Sequence, residues 1–392
     1  MFTSIRSPIP LQEFDASDKT TNDAVSLPPE AFISDDFFNF EKGAIFAHEW
    51  LCIGRANDIP NKGDFFTIDL INEPLIAVRQ ADGSIKVMAN VCRHRAMKVA
   101  DGQGNARRFR CPYHSWVYGL NGALQSAPDL NENPCFDKST ISLPEIRSEI
   151  WQGFIFVTFD KDIPPISQRL ESLTDYLRNW DLENLVSAEP LQFFDVEANW
   201  KVFGDECYHC AHLHSQSWCE MYDTSSEMID YEASYNSIDQ GVIGYNLVSL
   251  KPDLSPTRTG RNLQPILKGL TEEQRKTLVY ATIAPNMLII AMPDKVKYFL
   301  WYPTGTQTSV FAATWLYPQS TIDQDNFQET WKMEVEDLKQ VMLEDIFAWE
   351  SVQKGLRSTN APRGRYAPSE VVLVRLNKWL INRYRNADLN SN

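Results

Sequence analysis

The chain has 392 residues, 43 % of them apolar and 12 % aromatic, and a net charge of −15. That excludes a disordered chain and supplies core for about two ordinary domains. The negative balance excludes a general nucleic-acid binder, which carries a basic face; it favours solubility and a docking partner with a basic patch. No apolar run approaches a membrane span, and the start "MFTSIRSPIPLQEF" lacks the apolar core of a signal peptide. The seven cysteines, at 52, 92, 111, 135, 207, 210 and 219, are expected as reduced thiols in the cytoplasm, with metal binding preferred over disulfides.

In chain order, the first thirty residues are irregular and contain prolines. "SDDFFNFEKGAIFAHEW" then reads as a helix, with Ser34 as N-cap and two acids behind it that suit the helix dipole. From Leu51 to about residue 160, short apolar runs alternate with turn residues, and "ADGS" between two such runs signals a hairpin. This stretch predicts a small all-β domain. "DKDIPPISQRLESL" reads as a boundary. Beyond it, "IAPNMLIIAM", "KYFLWYPTG" and "SVFAATWLYP" predict consecutive antiparallel strands, and residues 326–356 the longest helix. The expected division is 1–45, 46–160 and 161–392, with the first segment packing on the last.

Two clusters carry metal-ligand chemistry. In the β region, "VCRHRAM" offers Cys92 and His94, and "RCPYHSW" offers Cys111 and His114. Each loop carries one thiol and one imidazole, whereas structural zinc sites usually pair like with like. One of each per loop suits a two-iron cluster in which one iron takes both thiolates and the other both imidazoles, the Rieske arrangement. Neutral imidazoles keep the oxidised cluster uncharged and so easier to reduce. Arg93 and Arg95 flank the loop, either helping that reduction or merely covering the surface. Zinc is the alternative occupant.

The second cluster is "GDECYHCAHLH", residues 204–214. On a helix of 3.6 residues per turn, Trp200, Phe203, Cys207, Cys210 and His214 share a face, His212 points away, and His209 falls roughly 130° from the apolar centre. Periodicity alone therefore selects His214 and not His209. In the long C-terminal helix, Asp345 interrupts a stripe running Phe327, Trp331, Val335, Leu338, Met342, then Trp349, Val352 and Leu356. A carboxylate in such a stripe needs a partner, either a metal or a salt bridge.

"CRH…CPYHSW", "FAHEWLCIGR", "NWKVFGDECYHC" and "VQKGLRS" resemble the catalytic alpha subunits of the aromatic-ring-hydroxylating Rieske oxygenases, and the likeness runs through most of the chain. The resemblance implies an α+β architecture: an all-β Rieske [2Fe-2S] domain and an α+β helix-grip, START-like catalytic domain with an antiparallel sheet. It implies a mononuclear non-haem Fe(II) held by His209, His214 and Asp345. It assigns Glu206, or more weakly Asp205, as the bridge that passes electrons from a neighbouring subunit's cluster, hence a homotrimer. The chain shows no G-x-G-x-x-G that opens a helix after a strand. NAD(P)H would therefore act through a separate flavin or iron–sulfur reductase. The implied reaction is hydroxylation or oxidative demethylation of a small organic substrate with O2.

"ECYHC" resembles the ligand stretch of carnitine and glycine betaine monooxygenases. Tyr208, Trp218, Trp301, Tyr302, Trp315 and Trp349 could then cage a quaternary ammonium; core packing is the plain alternative for each. An aromatic acid or natural product is the alternative substrate. A zinc-stabilised interaction protein or an electron-transfer protein without oxygenase activity is the alternative of another class.

Overall fold

The structure is a computed structural model that describes residues 6–130, 133–206, 229–236, 242–250, 255, 257 and 259–389. The chain divides into two compact units, residues 49–163 and residues 1–48 with 164–392. The expected α+β chain with an all-β domain corresponds to this element content.

Among the described residues of 49–163 there are ten strands. A seven-stranded sheet runs in the order β1 (Leu51–Arg55), β10 (Phe154–Thr158), β9 (Glu145–Trp151), β4 (Ile85–Ala89), β3 (Glu73–Arg79), β2 (Asp64–Leu70), β5 (Gln103–Asn105). A small sheet joins β6 (Phe109–Arg110), β7 (Val117–Tyr118) and β8 (Leu124–Ser126). β2 and β3 are linked by Ile71 and Asn72, at φ 54° and 65°. That is the left-handed pair a two-residue hairpin needs to match strand twist. The "ADGS" turn joins β3 to β4, with Gly83 at φ 86° and Gln80 N–H donating to Ser84 O at 2.8 Å. A core of Ile76, Val78, Met88, Phe109, Trp116 and Tyr118 fills the space beneath the cysteine loops.

The other unit is built on an eight-stranded antiparallel sheet. Its path is β11 (Val186–Ser187), β18 (Thr308–Tyr317), β17 (Val296–Gly305), β16 (Met287–Ala291), β15 (Thr277–Ile283), β14 (Val242–Leu250), β13 (Ile229–Asn236), with β12 (Gln192–Val196) also paired to β18. Four helices matter for the site: α1 (Asp35–Glu41), α2 (Trp200–Glu206), α3 (Phe327–Leu356) and α4 (Val371–Leu389). α1 starts as its sequence dictates, with Ser34 Oγ accepting from Phe37 N–H at 3.2 Å. It then widens into a π-helical turn over Lys42–Phe46, so the expected single helix through Trp50 is shorter and changes winding. Phe37 packs on Phe14, Phe40 and Tyr384, which ties the N-terminal segment to α4. Gly204 lies so close to α4 that an added Cβ would collide with Leu376. Glycine there lets the two helices approach.

Candidate metal centres and substrate pocket

Cys92 and Cys111 stand at the start of two hairpin loops with the same backbone plan. Cys92 N–H donates to Met97 O and Ala96 N–H to Cys92 O; Cys111 N–H donates to Trp116 O and Ser115 N–H to Cys111 O. Ala96 and Ser115, each four residues after its cysteine, sit at φ 61° and 59°. A left-handed residue with a side chain costs about 1–2 kcal/mol, so both loops are held in a conformation the chain would not adopt unaided. The two thiols are buried and near one another. Burial raises the pKa of Cys111 first of all, and the adjacent Cys92 thiol adds to it. The His94 and His114 rings lie 4.6 Å apart, centroid to centroid, and part-buried. The Nδ1 of each is buried with no hydrogen-bond partner.

Buried imidazole nitrogens are normally satisfied. Two orphaned nitrogens side by side, opposite two paired thiols, fit a binuclear iron–sulfur cluster with split ligation. A single tetrahedral zinc would need at least three of these donors at one point, and among the described residues no such convergence occurs. The pKa of His94 is lowered by burial and then by the charges of His114 and Arg95, which favours the neutral, metal-binding imidazole.

Sequence reasoning missed the groups that hold these loops. Asn90, 1 % exposed, accepts from Val99 N–H and Ala100 N–H and donates to Ala100 O, pinning the first loop. The Tyr118 hydroxyl lies 3.3 Å from Cys92 Sγ and accepts from Arg93 N–H at 2.9 Å. Trp116 stacks on His94 at 5.0 Å and 4°. Only the spacing C-x2-H-S-W hinted at Trp116; Asn90 and Tyr118 left no local signal. The net charge favoured a partner with a basic patch, yet exposed Arg93, Arg95, Arg107, Arg108 and Arg110 crowd the two loops and the turn before them. The local charge has the opposite sign to the total, so the loops suit an acidic partner face.

In the other unit, α2 and α3 run antiparallel. Gln353 Oε1 accepts from Asn199 N–H at 2.9 Å, Glu350 Oε1 accepts from Glu197 N–H at 3.2 Å, and Trp349 packs on Phe203 at 4.8 Å. Moving back along α3 thus moves forward along α2, from 353 opposite 199 to 349 opposite 203. Asp345 is the next position on that stripe, one turn nearer the C-terminal end of α2, and is part-buried. The backbone of Asp205 and Glu206 closes α2. Their side chains, and Cys207, Tyr208, His209, Cys210, His212, His214 and Trp218 entirely, lie outside the described residues.

The buried stripe of α3 differs from the predicted one. It runs Phe327, Trp331, Glu334, Leu338, Met342, Trp349, Gln353, while Val352 is 42 % exposed and Val335 only part-buried. The 3.6 period admits 334 and 353 on this face, but a search for apolar residues passes over them. Both are satisfied polar groups. Glu334 takes the Lys295 ammonium at 2.6 Å, and Gln353 holds Asn199.

A second buried network lies at the other end of α2. Glu41, 0 % exposed, accepts from Lys201 Nζ at 2.9 Å, Trp200 Nε1 at 3.2 Å and the Tyr384 hydroxyl at 2.5 Å. It joins α1, α2 and α4 at one carboxylate. No sequence signal marks it, because its members are 160 and 343 positions from Glu41.

The aromatic cage is partly corrected. Phe311 packs on Trp349, and Trp315 on Trp331, so the face of β18 carrying Phe311 and Trp315 is the one under α3. Trp301 pairs with Phe311 in register and stacks on it at 6.4 Å, so it shares that face. Tyr302, the next residue, points to the other side by the two-residue period and cannot line the same pocket.

A family model described as the ring hydroxylating alpha subunit (catalytic domain) matches residues 176–386, and one described as a Rieske [2Fe-2S] domain matches residues 49–137. The first spans more than half of the chain, which therefore belongs to the ring-hydroxylating alpha-subunit family of Rieske oxygenases and is an oxidoreductase. Similar proteins include the glycine betaine monooxygenase oxygenase subunit of Chromohalobacter salexigens, 27 % identical over 87 % of this chain and 82 % of that one. The carnitine monooxygenase oxygenase subunit of Acinetobacter pittii is 30 % identical over 49 % of this chain and 53 % of that one. Among solved structures, the quaternary ammonium Rieske monooxygenase CntA in complex with L-carnitine matches with a TM-score of 0.77 at 20 % identity. It covers 97 % of this chain and 100 % of its own. Naphthalene 1,2-dioxygenase from Rhodococcus matches with a TM-score of 0.79 at 19 % identity, over 97 % and 99 %. At such identities the structures carry the fold. No helix among the described residues is long and apolar enough to cross a membrane.

Proposed function

We propose that this chain is the oxygenase component of a two-part monooxygenase that oxidises a quaternary or methylated amine. Cys92, Cys111, His94 and His114 hold the [2Fe-2S] cluster, and Asp345 joins His209 and His214 at the mononuclear iron. Residues 49–163 serve electron entry, and the other unit serves substrate and O2. When bound, the cluster relays single electrons and the mononuclear iron activates O2. The protein's own task is to hold donors, exclude water and orient the substrate.

The observation that carries this reading is the pairing of two buried thiols against two orphaned imidazole nitrogens. The amine class is supported by the relatives' activities and by the tryptophans on the inner sheet face. Glu206 is assigned as the bridge to a neighbouring copy's cluster, in a homotrimer. Inter-subunit electron transfer is described for a structurally similar quaternary ammonium Rieske monooxygenase. The electron donor is an NAD(P)H-dependent flavin or iron–sulfur reductase, and the chain works in the cytoplasm.

Anaerobically purified protein should be red-brown, bleach on reduction, and contain about three irons and two acid-labile sulfides per chain. Methylated amines should stimulate O2 consumption and yield an oxygenated or demethylated product by mass spectrometry. Zinc without sulfide would sink the reading. The arginine face adds a second expectation. Arg95→Glu combined with Arg108→Glu should slow electron delivery by the reductase several-fold at low salt and flatten its salt dependence. Stopped-flow reduction of the cluster measures this; an unchanged salt dependence removes the arginines from docking.

A further inference from the structure

The buried stripe of α3 carries one amide side chain, Gln353, with no exposed surface. Its Oε1 accepts from Asn199 N–H at 2.9 Å, and its Nε2 donates to Phe32 O at 3.3 Å and to Gln307 Oε1 at 3.0 Å. It thereby joins the residue before α2, the short helix Glu30–Ile33 and the turn between β17 and β18. Asn199 is held as firmly. Its Oδ1 accepts from Lys201 N–H at 3.1 Å, which caps α2, and its Nδ2 donates to Thr306 O at 2.6 Å. The preceding carbonyl, Ala198 O, accepts from Ser309 Oγ at 2.9 Å. The start of α2 is fixed to the sheet, and Gln353 fixes α3 to that start.

The neighbouring contacts between the two helices are less demanding. Trp349 packs on Phe203, and apolar contact is non-directional, so it survives a small slide. The bond from Glu197 N–H to Glu350 lies at the surface, where water competes for both groups. A polar group buried in an apolar helix face lowers stability, and coiled coils use one to fix register. Gln353 stands about two turns from Asp345, roughly 12 Å by helix rise. A slip of one residue would carry Asp345 about 1.5 Å along the axis. Metal–ligand distances tolerate only about 0.2 Å.

We infer that Gln353 is a positioning residue: it sets the axial register of α3 against α2 and so holds Asp345 at the end of α2. This rests on the assignment of Asp345 to the mononuclear iron made above, and extends it to a group that touches neither metal nor substrate.

The test uses the full chain with its [2Fe-2S] cluster in place and the mononuclear metal removed by a chelator. Cobalt(II) alone is the probe, and calorimetry gives its affinity. Gln353→Met keeps the length of the side chain and removes all three hydrogen bonds. It should weaken cobalt binding at least tenfold, and product formed per O2 consumed should fall with it. Leu177→Ala is the control, a cavity variant of a buried residue in the helix Glu171–Leu177. At a comparable loss of melting temperature it should keep cobalt affinity within twofold. Wild-type affinity in Gln353→Met, or equal weakening in both variants, overturns the proposal. If wild type itself takes up no cobalt, the iron assignment fails, and amide hydrogen exchange decides the register alone. The amides of residues 199–203 should then exchange at least tenfold faster in Gln353→Met than in Leu177→Ala, and equal rates overturn the clamp. Should Gln353→Met fail to fold, Gln353→Asn replaces it under the same criteria, because its shorter amide stays polar and no longer reaches Asn199.

Discussion

Replacing Asp345 by alanine is expected to abolish turnover while the [2Fe-2S] absorption survives. Iron content should fall from about three to about two per chain, with sulfide unchanged. Outer-shell partners of a metal already cost roughly 10–100-fold, so loss of a direct carboxylate ligand should exceed a hundredfold. The expectation follows from the antiparallel register of α2 and α3, which points Asp345 at the end of α2. Glu344 is the internal control. It sits off the stripe and accepts from Gln340 Nε2 at 2.7 Å. Glu344→Ala should retain iron and most activity. An active Asp345→Ala enzyme with full iron would remove Asp345 from the triad.

Glu41→Ala should be the most destabilising single change. It strands the buried Lys201 ammonium and leaves Trp200 Nε1 and the Tyr384 hydroxyl without an acceptor. Removing one partner of a buried ion pair costs about 3–5 kcal/mol, which lowers the melting temperature by roughly 10 °C. Tyr384 stays a donor throughout, because burial and then the Glu41 charge push its pKa well above the usual tyrosine value. The paired change Glu41→Leu with Lys201→Met should cost much less than the two single changes summed, since no lone charge remains. Far-ultraviolet melting follows the helices, and visible absorbance follows the cluster unit separately. A Glu41→Ala protein within 1 kcal/mol of wild type would show that water reaches this site.

What the sequence reveals is what lies close along the chain. The C-x-H and C-x2-H loops, the Ser34 cap, the "ADGS" hairpin and the strands around Trp301 and Trp315 are local patterns. Their physics acts within a few residues. Asp345 was legible as a candidate because a carboxylate breaks an apolar period. Glu334 and Gln353 were not, because each owes its burial to a partner distant in sequence. The same holds for Glu41. The arginine cluster around the two loops was hidden in the total because net charge averages over both units. Tyr302 falls outside the cage because side chains alternate along the strand and Trp301 takes the Phe311 face.

The split of the second unit around the first has a consequence for synthesis. Glu41 and Tyr384 are 343 positions apart and share one hydrogen bond, with the whole of residues 49–163 between them. At about 5–20 residues per second, the amino-terminal segment leaves the ribosome roughly 20–70 s before α4 can receive it. The inserted unit is contiguous and complete long before then. Cluster insertion can therefore proceed on a nascent chain, whereas Glu41 cannot gain its Tyr384 contact until residue 384 has left the ribosome.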